Sequence, residues 1–325
     1  MKKKEKALVT GAGGFIGHHL VKFLKNKGYW VRGVDIKKPE YEPTHANEFH
    51  LLDLRDKKNA QKATHEMHHV YNLAANMGGI GFIETVHAEI MHDNLLIDTN
   101  VIDAAYRNNV KRYFYSSSAC IYPICKQTDT NNTGLKEQYA YPADPDNEYG
   151  WEKIVAERLC INYYQDYGFE TRIARFHNVY GPLGTWQGGR EKSPAALCRK
   201  VALVKDGDEI EVWGDGQQTR SYCFIEDCVE GIYKLTMSDI RNPLNIGSDR
   251  LVSINDLINI ISKIAEKKVR KKYDKTKPQG VRGRNSDNTL INQYLHWEPS
   301  TSLEKGLSKT YYWIKKQTEQ GKLQK

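Results

Sequence analysis

Lys6-Ala7-Leu8-Val9-Thr10-Gly11-Ala12-Gly13-Gly14-Phe15-Ile16-Gly17 is the stretch whose reading decides the fold. Lys6 to Thr10 reads as a short buried strand. It runs straight into clustered glycines, and Phe15 to Lys27 then carries apolar residues at helical spacing until Gly28 closes the segment. Strand, glycine turn and helix together bring backbone N–H groups and the positive end of a helix dipole onto a phosphate. Gly11, Gly13, Gly14, Phe15, Ile16 and Gly17 are therefore candidate binders of a dinucleotide pyrophosphate. Tyr29 to Val34 reads as the next strand, with Asp35 at its end. A carboxylate there suits the adenosine ribose hydroxyls and repels a 2′-phosphate, so the expected cofactor is NAD; Lys37 and Lys38 pull towards NADP. Asp53, after Leu51-Leu52, is a candidate for the adenine amino group.

Working outward, Val70–Ala74, Tyr113–Ser116 and Arg172–Arg175 read as further strands, and Asn94–Asn108 and Trp151–Tyr167 as helices. Such alternation predicts an α/β fold with a doubly wound parallel sheet. After Asn178 the chain turns loop-rich, from Gly181 and Pro182 to Gly188 and Gly189. Phe224-Ile225 and Leu244–Ile246 look strand-like and are expected to return to the sheet. The boundaries expected are 1–178 plus 223–247 for the cofactor domain, and 179–222 plus 248–325 for a second, smaller substrate-binding domain.

With 325 residues, 39% of them hydrophobic, the chain can bury a sizeable core. No apolar run is long enough to cross a bilayer. Met1 to Lys6 is basic, but only Ala7-Leu8-Val9 follows before the glycines, which does not read as a signal peptide; a cytoplasmic protein is expected. The six cysteines (Cys120, Cys125, Cys160, Cys198, Cys223, Cys228) form no C-x-x-C pair and should be free thiols, mostly in the core. The net charge of +8, with lysines at 2–4 and between Lys267 and Lys277, reads as solvated surface or as attraction for anionic ligands. No nucleic-acid motif accompanies it, so neither nucleic acid nor membrane is an expected partner.

Tyr149-Gly-Trp-Glu-Lys153 opens the helix before Arg172, and its i,i+4 spacing puts both ends on one face. A lysine cation favours phenolate, making Tyr149 a base for a hydroxyl. Ser116-Ser-Ser118, at the end of the preceding strand, supplies a serine to hold that hydroxyl; Ser118 is the candidate. With the glycine loop, this set resembles the extended short-chain dehydrogenase/reductases, the NAD-dependent epimerase/dehydratase family. The resemblance implies a Rossmann sheet, a nucleotide-sugar substrate, and Tyr149 and Lys153 as both catalytic and cofactor-binding residues. It also implies a homodimer paired through Asn94–Arg107 and Trp151–Tyr167, with Ile97, Val101, Ile154 and Leu159 divided between core and interface.

Further segments resemble the branch of that family acting on carbons 3 and 5 of GDP-mannose. They are Asn76-Met-Gly-Gly-Ile-Gly-Phe82, Ser117-Ser-Ala-Cys-Ile-Tyr-Pro123, Arg175-Phe-His-Asn-Val-Tyr-Gly-Pro182, Gly184-Thr-Trp-Gln-Gly-Gly-Arg-Glu-Lys192, Trp213-Gly-Asp-Gly-Gln-Gln-Thr-Arg220 and Gly280-Val-Arg-Gly-Arg-Asn-Ser-Asp-Asn288. Cys120 stands where dehydratases of the family carry a glutamate base, and a thiolate can take a carbon-bound proton. The resemblance makes Cys120 and Lys192 an acid/base pair. Tyr149 serves transient oxidation at carbon 4 by NAD, and re-reduction makes the net reaction an isomerisation. It assigns substrate contacts to Gly78, Ser118, Ala119, Cys120, Asn178, Glu191, Lys192, Lys200, Gln218, Thr219, Arg220, Arg282 and Arg284. The arginines would take the diphosphate through bidentate contacts.

Rival readings stay open at this point. A 4-epimerase leaves Cys120 and Lys192 without a task, and a 4,6-dehydratase lacks its acidic pair, because Ala119 and Cys120 occupy those places. A binding protein on a degraded dehydrogenase fold would not need both Tyr149 and Lys153. No metal is expected, although His65-Glu66-Met-His-His69 matches H-E-x-x-H and keeps a zinc hydrolase as a remote alternative, provided the segment is helical.

Overall fold

The computed structural model describes residues 4–322, so Lys2 and Lys3 of the basic N-terminus lie outside the described residues. The first half runs β1 (Lys6–Thr10), α1 (Phe15–Asn26), β2 (Trp30–Asp35), β3 (Glu48–Leu51), α2 (Lys57–Thr64), β4 (His69–Asn72), α3 (Ile80–Ile83), α4 (Ala88–Arg107), β5 (Arg112–Ser118), α5 (Glu148–Tyr167) and β6 (Thr171–Phe176). Then follow β7 (Val179–Tyr180), α6 (Ser193–Leu203), β8 (Glu209–Trp213), β9 (Thr219–Arg220), β10 (Cys223–Phe224), α7 (Ile225–Met237) and β11 (Leu244–Ile246). The chain ends with β12 (Val252–Ser253), α8 (Ile254–Ile264), β13 (Arg270–Asp274), β14 (Gly283–Arg284), α9 (Thr289–Leu295) and α10 (Leu303–Glu319).

Seven strands form one parallel sheet in the order β11-β6-β5-β4-β1-β2-β3. Strand alternation divides the core in two. Ala7, Val9, Val31, Tyr71, Phe114 and Ala174 join one buried cluster; Leu8, Val34, Val70, Tyr113, Tyr115 and Ile173 join the other. Helices α1 and α7 pack together on the first face, and α2, α4 and α5 on the second. The order reverses between β1 and β4, and ligands of such sheets bind at the carboxyl ends of the strands there. The glycine turn after β1, residues 73–79 after β4 and Ser118 at the end of β5 all lie at that edge.

Beyond the sheet, α6, α8 and α10 pack on one another, β8 pairs with β13, and β9 lies between β12 and β14. Two expectations need correction. Phe224 does not rejoin the sheet: β10 pairs with β7 and α7 starts at Ile225; only Leu244–Ile246 returns, at the edge. His65 to His69 is not helical. Helix α2 stops at Thr64, Glu66 has a positive φ of 61°, and His69 lies in β4, so the H-E-x-x-H geometry for zinc never forms. Of the four residues left between core and interface, Val101 and Ile154 are buried core, while Ile97 and Leu159 are only partly buried. No helix of the described residues is long and apolar enough to cross a membrane.

Candidate active site

The glycine turn is shaped by close approach. Gly11 has φ +65°, and a Cβ on Gly13 would sit 2.1 Å from the Lys37 carbonyl oxygen. Gly14 opens α1 without a side-chain cap, leaving first-turn N–H groups for an anion. The Asp35 carboxylate accepts from Gly13 N at 2.9 Å and Lys37 N at 3.1 Å, which ties the ribose-side acid to the turn. This cradle fits the pyrophosphate and ribose of NAD, with Phe15, Ile16 and Gly17 in the first helical turn. Asp53 is paired elsewhere: Arg55 grips its carboxylate at 2.6 Å and holds its pKa below the ordinary aspartate range.

Helix α5 starts at Glu148, one residue before Tyr149, because Asn147 caps it, accepting from Gly150 N at 3.0 Å. Gly150 has to be glycine, since a Cβ there would meet the Cys120 carbonyl oxygen at 2.3 Å. Tyr149 is buried, and burial raises its phenol while the Lys153 charge pulls it back. The Lys153 ammonium lies 5.4 Å from the Tyr149 ring centroid and donates to the Tyr115 hydroxyl at 3.1 Å. Burial opposes that ammonium, yet Glu152 (3.6 Å) and Asp98 (3.8 Å) hold its pKa above the ordinary lysine value. Among the three serines, Ser116 donates to the Asn72 carbonyl and Ser117 to Glu157. Ser118 is half-buried and accepts from Cys120 N at 3.1 Å, which leaves its proton to give.

Ser118 caps a single 3-10 turn, Ala119–Ile121, that presents Cys120. Arg284, brought by β14, donates to the Cys120 sulfur at 3.2 Å. Asp146 (3.3 Å) and Gln127 hold that guanidinium in place. Lys192, just before α6, is half-buried; desolvation lowers its pKa below the ordinary lysine value, while Cys120 and Cys228 act to raise it. Arg284 adds to the lowering, and it presses on the half-buried Arg220 in the same sense. Three cations thus gather around one thiol. Like charges crowded in partial burial are complementary to an anionic ligand.

The other candidates divide. Asn178, at φ +41°, donates to the Ser221 carbonyl, and Thr219 donates to the Thr130 carbonyl at 2.6 Å. Gln218 is buried, donates to the Trp213 carbonyl and keeps its Oε1 without a hydrogen-bond partner. Glu191 braces its own loop, accepting from Gly189 N and Arg199. Lys200 is paired with Glu211 and Arg282 with Asp215, so neither joins the Cys120 group. Gly78 packs against Phe82, whereas Gly79 makes the close approach, its Cβ position 2.3 Å from the Glu191 carbonyl oxygen. His18, Glu42 and His45 bring three possible ligand atoms within 4.8 Å; Glu42 there pairs with His18 Nε2 at 2.9 Å.

Asp98, Tyr115, Glu152, Gln127 and Asp146 were not singled out from the sequence. Glu152 had a usable signal, because Tyr149, Glu152, Lys153, Ala156, Glu157 and Cys160 recur at helical spacing and all are buried. Gln127 and Asp146 come from segments far in sequence from the Arg284 they hold and had none.

Residues 7–247 match the NAD dependent epimerase/dehydratase family. The chain is 52% identical over 319 residues to the GDP-mannose 3,5-epimerase of Arabidopsis thaliana, covering 98% of this chain and 84% of that protein. It is 51% identical over 324 residues to GDP-mannose 3,5-epimerase 1 of Oryza sativa subsp. indica, covering 99% and 85%. Its fold is similar to that of a UDP-glucose 4-epimerase from Thermotoga maritima solved with UDP-glucose, at 24% identity and a TM-score of 0.87, over 96% of this chain and 99% of that one.

Proposed function

The chain belongs to the NAD dependent epimerase/dehydratase family, and we propose that it epimerises GDP-mannose at carbons 3 and 5, giving GDP-L-galactose or GDP-L-gulose. The observation that carries this reading is Cys120: a thiol at the strand end, gripped by Arg284 at 3.2 Å and electrostatically coupled to both Lys192 and Tyr149. A plain 4-epimerase has no use for that group.

NAD, when bound in the glycine cradle, supplies transient oxidation at carbon 4 and its reversal. Tyr149 takes the carbon 4 hydroxyl proton and later returns it, with Lys153 supplying the positive charge that favours phenolate and Ser118 holding the hydroxyl. The 4-ketone acidifies the protons on carbons 3 and 5. Cys120 removes a proton, and Lys192, kept ready to exchange protons by its lowered pKa, supplies the replacement. Inversion needs return from the opposite side of the ring, and two groups of different kind meet that need. The diphosphate relieves the repulsion among Arg220, Arg284 and Lys192.

Two finer points belong to the same reading. Trp151, Val155, Tyr106 and Tyr167 are exposed apolar residues on α4 and α5, beyond what the sheet covers, and we place a homodimer contact there. A working Cys120 thiol needs a reducing compartment, which fits the cytoplasm. The domain boundaries at 178, 223 and 247 stand as a proposal on the same footing.

The test is product analysis. GDP-mannose incubated with the NAD-loaded protein should give isomers of unchanged mass that NMR identifies as inverted at carbons 3 and 5. Inversion confined to carbon 4 would overturn the reading in favour of a 4-epimerase, and loss of water would favour a dehydratase.

A further inference from the structure

Three ionisable side chains sit together behind the catalytic tyrosine with almost no access to water: Lys153 is 1% exposed, Asp98 2% and Glu152 0%. Were all three charged, the group would carry a net negative charge in a dry interior. An uncompensated buried charge costs more than protonating the group that bears it. One carboxyl must therefore be neutral, and the hydrogen bonds decide which.

Asp98 is built to be an anion. It accepts from Asn72 Nδ2 at 2.8 Å on one oxygen and from the Tyr115 hydroxyl at 2.8 Å on the other. Tyr115 in turn accepts from Lys153 at 3.1 Å, so the ammonium reaches Asp98 through a phenol as well as across space. Glu152 is treated differently. Its Oε1 accepts from Asn94 Nδ2 at 2.8 Å and lies 3.6 Å from the Lys153 ammonium, beyond a normal hydrogen bond, and its Oε2 is buried with no hydrogen-bond partner. A carboxylate left so would bear a full desolvation penalty; a neutral carboxyl bears much less.

We propose that Glu152 stands as an uncharged carboxylic acid beside Lys153, a positioning residue whose neutrality leaves the lysine charge to act on Tyr149. The groups facing it are Lys153 and Tyr149 from its own helix α5, Asp98 and Asn94 from α4, and Tyr115 from β5; Cys120, in the turn against α5, acts on Tyr149. Burial pushes the Glu152 carboxyl up to about 8; Lys153 opposes the shift and Asp98 adds to it. Once Glu152 ionises, its charge raises the Tyr149 phenol further and works against phenolate. Asn94 carries the same carboxyl's influence to the substrate side, because it also bonds both backbone groups of Asn76, N at 2.6 Å and O at 3.2 Å. The effect on turnover rests on Tyr149 being the base of the proposed reaction; the charge assignment rests on the hydrogen bonds alone.

The experiment is infrared difference spectroscopy of the NAD-loaded protein across pH, without substrate, for the unmodified chain, Glu152→Gln and Asn94→Ala. The unmodified protein should show a carboxylic-acid carbonyl band near neutrality that fades as pH passes about 8. Glu152→Gln should lack it, and Asn94→Ala, having lost the donor at 2.8 Å, should fade at higher pH. The same band in Glu152→Gln, or an unmoved midpoint in Asn94→Ala, overturns the assignment. The positioning role is read from substrate-dependent NADH formation at about pH 9.5 relative to about pH 7. That ratio should fall further in the unmodified protein than in Glu152→Gln, by at most about thirtyfold, the ceiling set by an acid near 8. Equal ratios overturn the role. Should no nucleotide sugar be turned over at all, the proposed reaction fails while the infrared result still decides the charge state.

Discussion

In the proposed reaction the field of the Lys153 cation lets Tyr149 act as a base, and replacing Lys153 by methionine removes it. A unit charge 5.4 Å from the Tyr149 ring centroid, at an effective dielectric constant of about 20, is worth about 3 kcal/mol. That corresponds to about two units in the tyrosine's ionisation and a loss of about a hundredfold in reactive phenolate. The figure is an upper bound, because burial raises the Asp98 carboxyl and Lys153 opposes that rise. Without the lysine Asp98 is driven towards its neutral form, and the positive and negative charges vanish together. A fall of roughly tenfold to a hundredfold in carbon 4 oxidation is expected near neutrality, with recovery as rising pH ionises the phenol. Lys153→Arg keeps the charge and should lose far less. The assay is stopped-flow NADH absorbance with GDP-mannose across pH, with thermal melts to confirm folding. A Lys153→Met protein that forms NADH at the unmodified rate would refute the reasoning, as would a loss that alkaline pH leaves unchanged.

Cys120→Ala should reduce solvent exchange of the sugar ring protons by on the order of a hundred- to ten-thousand-fold while substrate-dependent NADH absorbance persists. Tyr149→Phe should silence both signals, and unmodified exchange in Cys120→Ala would make Cys120 a structural thiol. Asp35→Ala loses the carboxylate that holds Gly13 N and Lys37 N. Calorimetry should then find weaker NAD binding and a narrower preference over NADP; equal NADP binding by the unmodified protein contradicts the role. Light scattering at micromolar concentration should give a dimer mass, and Val155→Glu, on the exposed face of α5, should shift it towards monomer; a monomer before any substitution removes the contact.

The sheet was legible because its signals are local. Apolar runs such as Ala7-Leu8-Val9 carry their own periodicity, and Asp35 follows its strand directly. Short β3 was not seen, since Glu48-Phe-His-Leu51 is half-exposed and polar. Phe224 was misplaced because an isolated apolar pair does not say which strand it will meet, and here it met Val179–Tyr180. The candidate catalytic groups were read from motifs and from the resemblance, and the structure brings Tyr149, Lys153, Ser118 and Cys120 together. What surrounds them was hidden for two reasons. Asp98 and Glu152 look like ordinary helix-surface acids until packing buries both around one lysine. The grip of Arg284 on Cys120 joins positions 164 residues apart. Lys200 and Arg282 were named through the resemblance; in the structure each pairs with a carboxylate, Glu211 and Asp215, a pairing that charge pattern alone does not reveal.

The central claim is that Cys120 and Lys192 exchange the protons on carbons 3 and 5 while Tyr149 serves carbon 4. The most direct measurement is incubation of the NAD-loaded protein with GDP-mannose in deuterated water, followed by NMR of the recovered sugar. Deuterium at carbons 3 and 5, none at carbon 4, and no net NADH is the predicted result. A recovered sugar inverted at carbon 4 with no ring deuterium would contradict it.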